Sequence, residues 1–271
     1  EQIEDPETYV FSYIKTFIIR FNKNANYKNK IHFYIKSLMR MSDIIDNEVL
    51  PLLLDPIEAA IDNKILPDED VYKFLEHITS MIDVEDSDIT TSLLTAITSI
   101  VRSYIQVVDI PKMINLLNFL WDNVDETEED VELPMAIAMI TLELYSNTEE
   151  KEKQNDEGEL KFDEQLLIEL LGILPLPPDI CDLEHVISSV LKIADKNWAR
   201  SKEEILISIS VFMAKVCLMK KNDLDQYDVT PGTIPQMRKK LKEIASSSKN
   251  IENQLKTEFQ DKASSIAAIL K

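Results

Sequence analysis

The chain has 271 residues, 45% of them apolar, and a net charge of −20 from 49 Asp and Glu against 29 Lys and Arg. Length and apolar content suffice for a large buried core, while the charge repels nucleic acid and anionic membrane and favours basic partners. Only three glycines occur (Gly158, Gly172, Gly232), which argues against β-rich or phosphate-cradling folds, whose turns need them.

In chain order, Pro6 and Glu7 open a first helix with Tyr9, Val10, Tyr13, Ile14, Phe17 and Ile18 near the i, i+3, i+4, i+7 spacing of a buried face. Asn22 to Lys30, rich in Asn and Lys, reads as a loop. A second helix is expected over about Ile31–Asp46, with Phe33, Tyr34, Leu38, Met41 and Ile45 on its apolar side. Glu48 to Asn63 is apolar but holds Pro51 and Pro56, which predict a kink or break near Asp55. Pro67-Asp68-Glu69-Asp70 starts a helix to about Ile82. Residues 1–86 therefore read as irregular helical repeats.

Beyond them one unit recurs: an amphipathic helix, a short acidic or proline-bearing break, and a second amphipathic helix. The units start near Ser87, Val131, Asp182 and Thr233, at steps of 44, 51 and 51 residues. The first runs from Ser87 to Ile105, and Asp109 with Pro111 caps its partner helix through Trp121. An acidic run from Asp122 to Glu132 precedes a helix over Glu132–Tyr145 that holds Pro134 in its first turn. Residues 148–161 are polar and predict a mobile inter-helix loop. Phe162–Leu174 is an apolar helix stopped by Pro175, and helices follow at about Asp182–Ala194 and Lys202–Met219. Ile234, Met237, Leu241 and Ile244, then Ile251, Leu255 and Phe259, then Ile266 and Leu270, form narrow stripes suited to a terminal cap. The spacing predicts an all-α fold of stacked hairpins, a HEAT-type solenoid over residues 87–271, continuous with residues 1–86 as one domain.

No stretch approaches the ~20 apolar residues that span a bilayer. The chain begins at Glu1 and carries no signal peptide, which reads as a fragment or processed piece. Cys181 and Cys217 are too few for a disulfide framework and read as reduced, buried thiols of a cytosolic or nuclear protein. Phosphate loops, dinucleotide fingerprints, nucleophile elbows and zinc motifs are all missing. His32, His77 and His185 are isolated, so no catalytic, cofactor-binding or metal residue is assigned and no enzyme is expected.

Charge is uneven: residues 233–271 hold eight Lys or Arg and four Asp or Glu, while Asp122 to Glu164 holds sixteen acids and three lysines. The acidic run, with Asp122, Asp125, Glu126, Glu128, Glu129 and Asp130, reads either as a solvated inter-repeat loop or as a patch for a Lys/Arg-rich partner. It lacks the glycine and spaced ligands of an EF-hand. Beside it, Lys112, Asn115, Asn118 and Asp122 fall on one helix face at steps of three and four. Trp121 reads either as core or as an anchor for a bound peptide.

The segment Leu166 to Leu191 (LLIELLGILPLPPDICDLEHVISSVL) resembles the C-terminal part of the importin-β (karyopherin-β) family of nuclear transport receptors. The likeness is carried by a leucine-rich helix ending in Leu174-Pro175-Leu176, the acidic turn at Asp179 and the helix that follows. Met113–Val124 with the acidic insertion and Leu133–Tyr145 is similar to the preceding repeat, and Met237–Ile244 and Leu255–Leu270 to the closing helices. The resemblance implies a receptor segment that binds basic cargo, histone- or ribosomal-protein-like, through an acidic surface. For the parent receptor it implies contact with nucleoporins, release by Ran GTPase, and shuttling between cytoplasm and nucleus. The other reading is a static HEAT scaffold subunit of a multiprotein complex.

Overall fold

The computed structural model describes residues 6–42, 44–46, 48–124, 131–148 and 163–270. Among them every regular element is helical, and none is a strand. The chain divides into two compact units, Glu1–Glu126 and Thr127–Lys271, each described by itself.

The first unit holds α1 (Pro6–Phe21), α2 (Ala25–Met41), α3 (Leu50–Asp62), α4 (Asp68–Ser80), α5 (Ser87–Ser103), a 3-10 turn at Ile105–Val107 and α6 (Ile110–Asp122). At its centre α3 packs against α1, α2 and α5. Pro51 lies in the first turn of α3, and the helix runs through Pro56 without the break expected near Asp55. Energetics explain the difference. An interior proline costs about 3 kcal/mol, whereas Leu50, Leu53, Leu54, Ile57 and Ile61 are all fully buried, each contributing roughly 1.5–3 kcal/mol. Packing on three sides outweighs one lost backbone bond.

Helix α2 starts six residues before the expected Ile31. The Asn24 side chain caps it by accepting from the Asn26 amide at 3.0 Å, so the Asn/Lys stretch forms exposed first turns and the connection shrinks to residues 22–24. The buried side also differs from expectation. Ile31, Ile35, Leu38 and Met39 are buried, while Phe33 is 70% exposed and Tyr34 is 64% exposed. On α1 the core contacts come from Phe11 and Ile18, and Tyr9, Val10 and Tyr13 are exposed. Both helices carry more than one apolar stripe, and periodicity alone does not say which one a neighbour covers.

The second unit holds α7 (Glu132–Asn147), α8 (Glu164–Ile173), α9 (Leu183–Asp195), the short α10 (Asn197–Arg200), α11 (Glu203–Cys217), the short α12 (Lys221–Gln226), α13 (Thr233–Ser247), α14 (Lys249–Glu258) and α15 (Ala263–Leu270). Its starts match the expected repeat. Asp163 and Asp182 cap α8 and α9 by accepting from the Leu166 and His185 amides at 3.0 and 3.1 Å, and α13 begins at Thr233 behind Gly232. Helices α7 and α8 pack together, as do α9 with α11 and α13 with α14. The pairs join α7 to α9 and α9 to α13, and α8 to α11 and α11 to α14. Helix α7 is buried almost all round. The last helices bury only narrow stripes, Met237, Leu241 and Ile244 on α13, Ile251 and Leu255 on α14 and Ile266 on α15, as their sequence predicts.

Side-chain hydrogen bonds tie neighbouring hairpins. In the first unit Tyr104 Oη donates to the Leu66 carbonyl at 2.9 Å, and Lys15 Nζ to Asp55 at 3.1 Å. In the second, Lys215 Nζ donates to the Gly172 carbonyl at 2.8 Å, Tyr227 Oη to the Leu176 carbonyl at 2.8 Å and Lys240 Nζ to Asp195 at 2.8 Å. Asn250 Nδ2 donates to Glu203 at 3.0 Å. These six bonds join residues 38 to 51 positions apart, about one repeat.

Candidate protein-binding site

The site expected from sequence is the face of α6 that carries Lys112, Asn115, Asn118 and Asp122, with the acidic run after it. Asp109 caps α6 by accepting from the Lys112 amide at 3.2 Å, and Pro111 supplies the fixed φ of a first turn. Met113, Ile114, Leu117 and Leu120 are buried, which turns the opposite face outward. There Lys112, Asn115 and Asp122 are exposed and Asn118 is half-buried, so the structure places these four on one side as the spacing implied. Trp121 is half-buried at the rim of the face rather than at its centre. The sequence reading missed Phe119, which is 55% exposed among these polar groups. Its position four residues after Asn115 was the available signal. Asp125, Glu126, Glu128, Glu129 and Asp130 lie outside the described residues.

The face can bind in a simple way. Two amides and one carboxylate offer hydrogen-bond acceptors and donors, a phenyl ring offers apolar contact, and the acidic run continues the chain beyond Asp122. Nothing in it resembles a nucleophile held by a base, and no group of three or more His, Cys, Asp or Glu among the described residues is placed to hold a metal ion.

The three histidines, isolated in sequence, each reach a polar partner on another segment. His32 Nε2 lies 2.8 Å from Asp70 Oδ2, His77 Nε2 lies 3.1 Å from Ser42 Oγ, and His185 Nε2 bonds Glu143. Burial alone would raise the Asp70 carboxyl, but hydrogen bonds from Lys36 and His32 outweigh it and hold the group below its ordinary range. Glu143 is 1% exposed and also accepts from Asn147 Nδ2 at 2.5 Å. Glu184 behaves like Asp70: burial raises it, and bonds from Thr233 and Thr230 bring it below the usual value. These groups fasten one helix pair to the next, α2 to α4, α7 to α9 and α9 to α13. The sequence held no signal for such pairings, because each partner lies a whole hairpin away.

Trp198, the second tryptophan, stacks edge-on against Tyr145 with ring centroids 5.8 Å apart. Leu174, in the Leu-Pro-Leu segment that carries the importin resemblance, is buried where α8 ends. No protein-family model matches the chain, and no curated protein matches it.

Proposed function

We propose that the hairpins stack as a HEAT-type solenoid and that the chain is a protein-binding segment of a nuclear transport receptor of the importin-β kind, recognising basic cargo for nuclear import. The observation that carries the reading is the spacing of the cross-hairpin hydrogen bonds named above, 38 to 51 residues. Within each unit these bonds run from one hairpin to the next, which supports a quasi-one-dimensional stack whose product is surface. The likeness of residues 166–191 to importin-β receptors and the acidic run beside α6 support the choice of basic cargo.

Recognition would rest on charge complementarity, which speeds encounter and selects partners, with affinity set by a few anchors such as Phe119 and Trp121. The test is titration of a Lys/Arg-rich peptide at two salt concentrations. Binding should weaken strongly with salt and on the combined Glu126→Gln, Glu128→Gln, Glu129→Gln and Asp130→Asn change. Affinity indifferent to both would refute the patch. A pull-down with the full-length parent, with and without GTP-locked Ran, separates receptor from scaffold: partners that ignore the nucleotide mark a static scaffold subunit.

A further inference from the structure

Helix α2 carries two apolar stripes, and the structure covers one of them. Ile31, Ile35, Leu38 and Met39 face the core. Lys30, Phe33, Tyr34, Ser37 and Met41 follow at steps of three, one, three and four, a second stripe on the opposite side, with Arg40 at its edge. Phe33, Tyr34 and Met41 are exposed, as is Ile44 just past the helix end. The two rings meet edge to face with centroids 6.2 Å apart, which makes one apolar platform. Scattered surface hydrophobes need no explanation, but a contiguous stripe of this kind marks a contact surface.

The charge around it identifies the contact. Residues 8–42 contain seven Lys or Arg and no Asp or Glu, in a chain that is otherwise strongly acidic. Lys36, on the flank of α2, is already engaged with Asp70 at 2.6 Å. Lys30 and Arg40 form no ion pair among the described residues, and Lys30 Nζ sits 6.0 Å from the Tyr27 ring centroid. A long polyanion such as RNA would run off this platform, about 16 Å long at 1.5 Å per residue, onto a chain whose net charge is −20 and be repelled. A short acidic segment with apolar anchors can stay on the basic length of α2, short of the exposed Asp46 and Glu48, and helix-mediated contacts of this type use i, i+3, i+4 and i+7 anchors.

We propose that the outward stripe of α2 docks an acidic amphipathic helix of a partner protein. Its apolar anchors rest on Phe33, Tyr34 and Met41, and its carboxylates pair with Lys30 and Arg40. This surface is separate from the acidic face beside α6 and has the opposite charge.

The test uses the full chain and a fluorescent synthetic helix with Leu at i, i+3, i+4 and i+7 and Glu between. The comparison probes are the same peptide with Leu replaced by Ser, the same peptide with Glu replaced by Lys, and a single-stranded oligonucleotide of matched charge. The acidic Leu peptide should bind, and the Ser peptide should bind at least tenfold more weakly; any binding of the Lys peptide belongs to the acidic run and should not respond to changes in the α2 stripe. Phe33→Ala with Tyr34→Ala should weaken binding tenfold or more. Lys30→Glu with Arg40→Glu should weaken it several-fold and flatten its salt dependence. Lys30, Phe33, Tyr34 and Arg40 are all exposed, so circular dichroism should be unchanged. Absence of binding, equal binding of the Ser peptide, preference for the oligonucleotide, or indifference to both double variants would each overturn the proposal. Self-association of the chain that is abolished by the Phe33/Tyr34 change would overturn it too, by assigning the stripe to a second copy.

Discussion

Glu58 should make this protein less stable as pH rises toward neutrality. It lies half-buried on α3, with Asp55 and Asp62 about one turn to either side and Lys15 of α1 held by Asp55 at 3.1 Å. Burial first, then repulsion from Asp55 and Asp62, pushes its carboxyl from 4.5 up to about 8, against the opposing pull of Lys15 and Arg102. Between those values the folded protein keeps a proton that the unfolded chain releases. Stability is therefore full below 4.5 and falls as pH climbs through the window to about 8. The slope is at most about 1.4 kcal/mol per pH unit. From about pH 5 to pH 7.5 the loss is bounded near 3 kcal/mol, and partial water access reduces it to about 1–3 kcal/mol. Glu58→Gln keeps the shape and removes the titration. Thermal and urea unfolding, followed by far-ultraviolet circular dichroism, should show wild type and variant alike near about pH 5. Near about pH 7.5 the variant should be more stable, with a midpoint higher by roughly 2–8 °C. A gap of the same size at both pH values would show that Glu58 is not the titrating group.

Three further outcomes follow from local geometry. Lys64 ends α3 with φ of 51°, its amide and that of Ile65 donating back to Ile61 and Ala60 at 2.9 and 3.1 Å; Lys64→Gly should stabilise by about 0.5–1 kcal/mol, read as a raised unfolding midpoint, and a lowered one would refute this. Burial pushes the thiols of Cys181 and Cys217 up to about 11; native labelling near about pH 8 should run roughly 100-fold slower than for a free thiol, and rapid stoichiometric labelling would contradict that. Leaving a buried polar group short of a hydrogen bond costs about 1–3 kcal/mol, so His185→Ala should destabilise through Glu143, which is 1% exposed, as measured by urea midpoint. Glu143→Gln should cost less, and the reverse order would overturn the pairing.

Much of the second unit was legible because its local signals agree. Asp163 and Asp182 are capping residues directly before apolar stripes, and each begins the helix that it announces. Pro231 and Gly232 punctuate the chain just before α13. The first unit was harder, for physical reasons. In α2 the larger side chains, Phe33 and Tyr34, lie on the outward stripe and the branched Ile31 and Ile35 on the inward one, so size misleads. Pro56 signals a break that packing against α1 and α5 overrides. The face of α6 was readable as a face, because Asn115, Asn118 and Asp122 recur at helical steps. Phe119 falls on the same face, four residues after Asn115, but its apolar side chain argued for the core and masked that signal. The long run without acids from Thr8 to Ser42 was visible all along, yet its meaning depends on knowing which stripe faces solvent.

The bonds from Thr233 to Glu184 at 2.6 Å and from Ser248 to Glu203 at 2.7 Å bridge 49 and 45 residues, one hairpin to its neighbour. In the second unit such fastenings hold each helix pair to the next one, and in the proposed stack each joint is then local. Thermal fluctuations should then open the C-terminal hairpin on its own, like the last link of a zipper, while α7 and α9 stay shut. On the proposed stacking, gene duplication would lengthen the array by whole links, since a new hairpin has only two seams to match.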